Sequence, residues 1–216
     1  MLNSGIIFSI RVQLGVINMP CHEESIFQII TKNKGYVTAK EVTEAGIPRR
    51  CLTKLVESGK LLKAKRGVYV LPDVWEDELF ILQYRFSKGI FSHDTALYLH
   101  GMTDRTPISF TMTFPFGYNT CNVKKQGVIP KVCTVDVYTL GIMEISSPSG
   151  NMLKTYNVER TLCDIAKETH HADIQVINQA MKEYALSKKK NIARLMSYAE
   201  KLRVTSKVLR YMEVLL

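Results

Sequence analysis

Cysteine is scarce in this chain and irregularly spaced. The 216 residues include five cysteines, and no two of them form a C-x-x-C pair. An odd number of widely spaced cysteines argues against a disulfide framework, and the missing C-x-x-C pairs argue against a zinc ribbon. The pattern is typical of proteins from a reducing compartment. We therefore expect a cytoplasmic protein.

Long apolar runs are missing as well. The first twenty residues are largely apolar, but Arg11 interrupts them and no basic stretch precedes them. A membrane-spanning helix takes about 20 mostly apolar residues, and a signal peptide starts with a basic segment and ends at small residues. Residues 1–20 fit neither pattern. We interpret them as an N-terminal extension of unassigned role, with Met19 as an alternative start codon.

The common signatures of catalysis do not occur. The chain has no D-x-D motif, no Gly-Ser turn and no D/E-x-K motif, and it lacks a Walker loop and a G-x-S-x-G elbow. His93 and His100 lie seven residues apart, but no cysteine or carboxylate stands at a matching ligand spacing. Structural packing is favoured for both histidines over a metal-binding or general-base role. We expect a protein that is not an enzyme and needs no cofactor or metal.

Positive charge is in excess. The formal net charge is +9, and residues 1–73 carry 11 basic and 6 acidic side chains against 18 and 14 in residues 74–216. The excess is therefore densest in the N-terminal third of the chain. Such a balance favours nucleic acid or an anionic membrane surface as partner, although a solvated basic surface without a partner fits it too.

Residues 38–71 show the pattern of a winged helix-turn-helix. Thr38 and Glu41 fit an S/T-x-x-E capping box at the start of a helix that ends at Gly46. Pro48 suits the first turn of the next helix, whose apolar residues recur at helical spacing from Cys51 to Val56. Two short strands follow, residues 61–64 and 68–71, joined by a basic turn. A winged helix-turn-helix that binds the major groove of DNA has a buried helix, an exposed basic helix and a cationic hairpin. The segment therefore predicts binding to duplex DNA.

The residues of this segment that we expect to contact DNA are polar or basic. Those of the second helix have the types that contact base edges and phosphates, and those of the hairpin are placed for phosphates or the minor groove. A solvated polar face is the competing interpretation. The predicted contacts are Thr38, Lys40, Arg49, Arg50, Thr53, Lys54, Lys63, Lys65 and Arg66.

The whole chain is predicted to be α+β. A helix over residues 23–34 completes a unit of three helices and two strands, so that the winged helix-turn-helix domain covers residues 21–73 and a C-terminal domain covers residues 74–216. Helices are predicted over residues 75–89 and 93–101, with Ser92 as the cap of the second. Strand patterns follow at residues 109–114, 128–132, 134–139, 142–146 and 152–156.

Helical patterns complete the C-terminal domain. Asn157 is placed to cap a helix that contains Arg160 and Asp164, four residues apart on one face, which is most simply a structural pair. Three more helices are predicted over residues 173–186, 192–202 and 204–216. The C-terminal domain is thus expected to consist of a small mixed sheet followed by a helical bundle.

Three blocks of sequence, in this order, resemble one known family. They are GYVTAKEVTEAGIPRRCLTKLVESGKLLKAKRGVYVLP, FSHDTALYLHGMTDR and YNVERTLCDIAK. Over residues 21–216 the chain resembles the AbiE-type antitoxins of type IV toxin–antitoxin systems, which act in abortive infection and phage defence. The resemblance implies a repressor of its own operon and a C-terminal domain that counters a nucleotidyltransferase-like toxin. Operator DNA with inverted repeats is the expected partner, bound cooperatively by a protein that is monomeric in solution.

The antitoxin activity needs a surface, and basic side chains of the C-terminal helices are candidates for it. They would form one cationic face able to meet a nucleic acid or an acidic toxin, with solubility alone as the competing explanation. They are Lys182, Lys188, Lys189, Lys190, Arg194 and Lys201. Two other functions stay open: a ligand-sensing transcription factor without a toxin, and a DNA-targeted nuclease or nucleotide-handling enzyme.

Overall fold

The computed structural model describes residues 20–167 and 174–215. The chain divides into two compact units, Met1–Glu76 and Asp77–Leu216. Both units combine helices with a small sheet, so the predicted α+β class is confirmed. Within the described ranges, no helix combines the length and the apolar character that crossing a bilayer requires.

The first unit alternates helices and strands around one small sheet. The sheet has the order β1-β3-β2 and is antiparallel throughout. Its β1 was not predicted, because three buried residues that pair with a strand 30 positions later show no local alternation. The elements are α1 (Pro20–Lys32), β1 (Tyr36–Thr38), α2 (Ala39–Glu44), α3 (Arg50–Glu57), β2 (Leu62–Lys65) and β3 (Val68–Val70).

The three helices of this unit bury their apolar stripes against the sheet. The first of them begins three residues earlier than predicted and ends two residues earlier, but it places Ile26 and Ile30 inward as expected. Residues three and four positions apart share one face of a helix, so α1 and α3 each contribute two side chains to one core, to which α2 adds Val42. That core consists of Ile26, Ile30, Val37, Val42, Ile47, Leu52, Leu55 and Leu61.

The second unit has a longer series of elements. Its first part alternates short helices and strands, and its last part is helical. The elements are α4 (Glu78–Arg85), β4 (Ile90–Phe91), α5 (His93–Leu99), β5 (Thr111–Pro115), α6 (Cys121–Lys124), β6 (Ile129–Cys133), α7 (Val135–Tyr138), β7 (Ile142–Ser146), β8 (Met152–Tyr156), α8 (Val158–Lys167), α9 (Ile174–Leu186), α10 (Ile192–Lys201) and α11 (Thr205–Leu215).

The sheet of the second unit is mixed and has five strands in the order β6-β5-β4-β8-β7. The central pair β4 and β8 is parallel, as are β5 and β6, while β4–β5 and β7–β8 are antiparallel. The predicted strand over residues 134–139 is wrong, because these residues form α7 and its flanks. The alternation of residues 109–114 predicts a half-buried strand, but residues 111–114 are buried on both faces. On the polar face, Thr113 Oγ1 donates a hydrogen bond to Ser92 Oγ.

Helix α8 lies at the centre of the helical part of the unit and is almost wholly buried. Its apolar side chains, such as Leu162 and Ile165, share a core with α9, α10 and α11. Asn157 caps this helix as predicted, accepting a hydrogen bond from the Arg160 amide at 3.0 Å. The predicted pair is present and buried: Arg160 Nε lies 3.0 Å and 3.1 Å from the two carboxylate oxygens of Asp164.

Candidate nucleic-acid interface

The start of α2 is held by the capping box that the sequence predicts. Thr38 Oγ1 accepts a hydrogen bond from the Glu41 amide at 3.2 Å, and Glu41 Oε2 accepts one from the Thr38 amide at 2.8 Å. Asn33 donates to the other oxygen of the same carboxylate. Only 4% of Thr38 is exposed. Thr38 is therefore committed to the helix cap, and it is removed from the predicted DNA contacts.

A tight turn joins α2 to α3. Gly46 adopts a φ of +72°, and the amide of Ile47 donates to the Val42 carbonyl at 2.9 Å, which closes the helix end around an αL residue. Ile47 is buried in the core and anchors the turn. Pro48 precedes the N-cap Arg49 instead of lying in the first helical turn, so it leads into the helix without donating a bond.

The exposed face of α3 is basic. Leu52 and Leu55 point into the core, while Arg50, Thr53 and Lys54 are exposed on the same helix. The helix has a strongly one-sided distribution of apolar residues, so its polar side must face solvent or a partner. The predicted residues of this helix are thus presented together.

Arg49 differs from its neighbour Arg50. The Nε atom of Arg49 donates to Thr43 Oγ1 at 2.9 Å, which ties the guanidinium to the exposed side of α2. No sequence pattern singles out Thr43, because the contact spans a turn whose geometry only the fold defines. Thr43 Oγ1 in turn donates to the Ala39 carbonyl at 2.7 Å.

The hairpin turn lies beside the start of α2. The Ala39 amide donates a hydrogen bond to the Gly67 carbonyl at 2.8 Å. This bond holds the turn formed by Arg66 and Gly67 beside Ala39, and therefore close to Lys40, the next residue of α2. Lys40, Lys65 and Arg66 are all exposed. Lys40 lies 3.6 Å from Glu44, but an ion pair this exposed is worth little and leaves the lysine available to phosphate.

The hairpin strands present further cations. Lys63 and Lys65 on β2 are exposed, and the register against β3 shifts between them. Lys60, to which no sequence pattern points, is bound by the carboxylate of Glu23 on α1. The structure therefore brings the predicted basic residues to two places in this unit, the outer face of α3 and the hairpin with the start of α2.

The basic positions of the second unit are exposed, as a surface role requires. They lie on α9, on the loop after it and on α10. Two of them have protein partners. Arg194 lies 3.8 Å from the buried carboxylate of Glu159, and the ammonium of Lys190 donates to the Ala185 carbonyl at 2.5 Å. Lys182, Lys188, Lys189 and Lys201 complete the set.

The two histidines of α5 have local partners. His100 Nε2 lies 2.7 Å from the Tyr156 carbonyl, and burial lowers the pKa of the His100 imidazole below its ordinary value. His93 Nδ1 lies 3.0 Å from Ser92 Oγ. Ser92 occupies the N-cap position, but it makes no side-chain cap bond. Among residues 20–167 and 174–215, no three histidine, cysteine or acidic side chains converge in a way that would hold a metal ion.

Comparison with known proteins bears on both units. The fold is similar to that in the crystal structure of the RV2827C protein from Mycobacterium tuberculosis, with a TM-score of 0.52 and 15% identity, over 91% of this chain and 81% of that chain. No curated protein matches the chain significantly. Residues 24–72 match the family described as "Transcriptional regulator, AbiEi antitoxin". The match is confined to these residues of the first unit, and it confirms the predicted resemblance to AbiE-type antitoxins.

Proposed function

We propose that residues 21–73 form a winged helix-turn-helix that binds operator DNA and represses the operon encoding this chain. The observation that carries the proposal is the arrangement of α3, with Leu52 and Leu55 buried and Arg50, Thr53 and Lys54 exposed, in a segment of the AbiEi antitoxin family. In helix-turn-helix proteins the second helix enters the major groove with its N-terminal residues against base edges. Arg50 is the first residue of α3.

The proposed DNA contacts fall into two groups: those that recognise bases and those that bind the phosphate backbone. Arg50 and Thr53 are the proposed base readers, because arginine paired with guanine is the commonest specific contact. Arg49, restrained by Thr43 at 2.9 Å, is better suited to hold a phosphate in a fixed place. The hairpin cations Lys63, Lys65 and Arg66, together with Lys40 and Lys54, supply sequence-independent affinity.

A gel-shift titration on the chain's own promoter tests the DNA proposal. Arg50→Ala should weaken specific binding by about 1–3 kcal/mol, the discrimination of one good bidentate contact, and should change non-specific binding far less. Lys32→Ala, at an exposed position at the end of α1 that is not among the predicted DNA contacts, is the matched control for the removed charge. Equal weakening in both variants, or none in Arg50→Ala, contradicts the assignment of α3 as the recognition helix.

We further propose that residues 74–216 act as the antitoxin domain and counter a nucleotidyltransferase-like toxin in the cytoplasm. The family match supports an antitoxin role in general. The domain would act by surface recognition rather than catalysis. The exposed basic positions of α9 and α10 and of the loop between them are the proposed surface.

Growth rescue tests this second proposal. The toxin is co-expressed with the chain, and residues 188–190 are changed together from lysine to glutamate. Rescue should be abolished while promoter binding is kept, since the changes lie outside residues 21–73. A variant with Lys154→Glu, at an exposed position of β8, controls for the effect of a charge reversal elsewhere on the second unit. Undiminished rescue by the triple variant would exclude this loop from the antitoxin surface.

A further inference from the structure

The five-stranded sheet of the second unit has two edge strands, β6 and β7, which differ in what they offer to a further strand. At the ends of β7, the Gly141 carbonyl accepts a hydrogen bond from the Asn157 amide at 2.8 Å. The Ser147 amide likewise donates to the Asn151 carbonyl at 2.8 Å. Backbone groups alternate in direction along a strand, so the odd-numbered residues of β7 face β8 and the even-numbered ones face away from it. The outward-facing residues are Ile142, Glu144 and Ser146.

The outward edge of β7 is open. The backbone amides and carbonyls of Ile142, Glu144 and Ser146 have no partner among the residues that the structure describes. The strand pairs with β8 without a bulge and contains neither proline nor lysine, and its Ile142 and Met143 are 38% and 37% exposed. Bulges, prolines and lysines are the means by which proteins keep an edge strand from pairing, so β7 is free to accept another strand.

The opposite edge of the sheet is protected. The Ile129 amide donates to the Phe110 carbonyl at 2.8 Å, so Ile129 faces β5 and its neighbour Pro130 faces outward on β6. Proline has no N–H, and a donor is therefore missing from this edge. Of the two edges, β7 alone offers an unbroken series of donors and acceptors. Two such edges that pair with each other leave no open edge of this sheet for a third copy, so the assembly closes as a dimer.

We propose that β7 pairs antiparallel with β7 of a second copy of this chain, across a twofold axis that joins the two sheets. A register centred on Glu144 would set two carboxylates directly opposite each other, which destabilises a strand pair. A register centred on Met143 avoids this contact and covers the exposed Ile142 and Met143 side chains. In that register, Ile142 of each copy lies opposite Glu144 of the other and exchanges backbone hydrogen bonds with it, and the Met143 side chains meet on the other face of the sheet.

The contact is small. A pair of five-residue strands buries less area than the roughly 1,200–2,000 Å² of a stable interface, so the dimer dissociates on dilution. We expect a dissociation constant between about 10 μM and 1 mM. The self-association is a property of the second unit, and it does not depend on DNA binding by the first.

Sedimentation velocity of the full chain, from about 5 μM to about 500 μM, tests the self-association. The weight-average mass of the wild type should rise toward twice that of the monomer. Glu144→Pro removes an outward-facing amide and keeps the bonds to β8, so it should weaken the association by about tenfold or more. Glu144→Ala keeps that amide and removes the charge, so it should associate at least as tightly as the wild type.

Thermal melts establish that both variants are folded. Association of Glu144→Pro with the affinity of the wild type would overturn the proposal. A wild type that stays monomeric at the highest concentration would overturn it too, and would leave the edge of β7 to a strand of a different protein.

Disulfide cross-linking tests the register and does not depend on the folding of the proline variant. Facing residues of a non-hydrogen-bonded antiparallel pair have Cα atoms about 4.5 Å apart, within the reach of a disulfide. Met143→Cys should therefore cross-link two copies on oxidation. Glu144→Cys should stay at the background of the wild-type cysteines, because the two Glu144 positions are more than about 7 Å apart in this register. Equal cross-linking by both variants, or none above background by Met143→Cys, would overturn the proposed pairing.

Discussion

The Arg160–Asp164 pair allows a sharp prediction about what holds the second unit together. The pair is formed within α8, with Nε–oxygen distances of 3.0 Å and 3.1 Å, and the side chains are 2% and 6% exposed. Removing one partner from a buried pair leaves an uncompensated charge, which typically costs about 3–5 kcal/mol. Asp164→Ala should therefore destabilise the second unit by about that amount and strand the Arg160 guanidinium against the Tyr156 ring, 4.4 Å from its centroid.

Urea denaturation followed by far-UV circular dichroism measures this destabilisation. Replacing both partners by apolar residues, Arg160→Met together with Asp164→Leu, should cost much less than Asp164→Ala, because no charge is then left buried. The remaining cost reflects the guanidinium bonds to the Val137 and Leu140 carbonyls. A cost below about 1 kcal/mol in Asp164→Ala, the range of an exposed pair, would refute the buried-pair argument.

Three further predictions concern other parts of the molecule. Lys65→Ala should weaken binding to all DNA sequences alike and lower the slope of log K against log salt by about one, measured against Lys32→Ala. Thr38→Ala removes the cap of α2 and should lower the free energy of unfolding of the first unit by about 0.5–2 kcal/mol, which a shift of the denaturation midpoint would show. The DNA affinity of the folded variant should equal that of the wild type. Burial raises the pKa of the Cys163 thiol to about 12, so native protein at pH 8–9 should be alkylated at the exposed Cys121 and not at Cys163 until it is unfolded, which peptide mass analysis would show.

Local signals account for what could be predicted. The capping box of Thr38 and Glu41, the αL turn at Gly46 and the helix cap at Asn157 each depend on residues within three or four positions of one another. The same holds for the pairing of Arg160 with Asp164, one helical turn apart. Amphipathic periodicity also predicted the longer helices of both units, because one-sided burial repeats along the chain itself, whereas the four-residue helices α6 and α7 are too short to show it.

Strands were harder to predict from the sequence where only their pairing with other strands defines them. Strand β1 has three buried residues, and β4 has two, so neither shows an alternation that sequence could display. Residues 134–139 alternate in polarity as a strand would, yet they form the short helix α7, because a pattern this brief fits both structures. Site residues are likewise hard to predict from residue type alone. A threonine can contact DNA, but the Thr38 hydroxyl accepts a hydrogen bond from the Glu41 amide in the cap of α2.

The sequence by itself determined the basic character of α3 and its hairpin, because a helix exposes one face wherever its apolar residues define the other. The restraint of Arg49 by Thr43 and the fixing of the Gly67 turn beside α2 were decided by the tertiary structure. The same is true of the cleft of the second unit that is lined by Thr113, Lys131 and Arg160, since these residues come from separate elements. Such residues meet only when strand order and helix packing are set, and no spacing along the chain records that order.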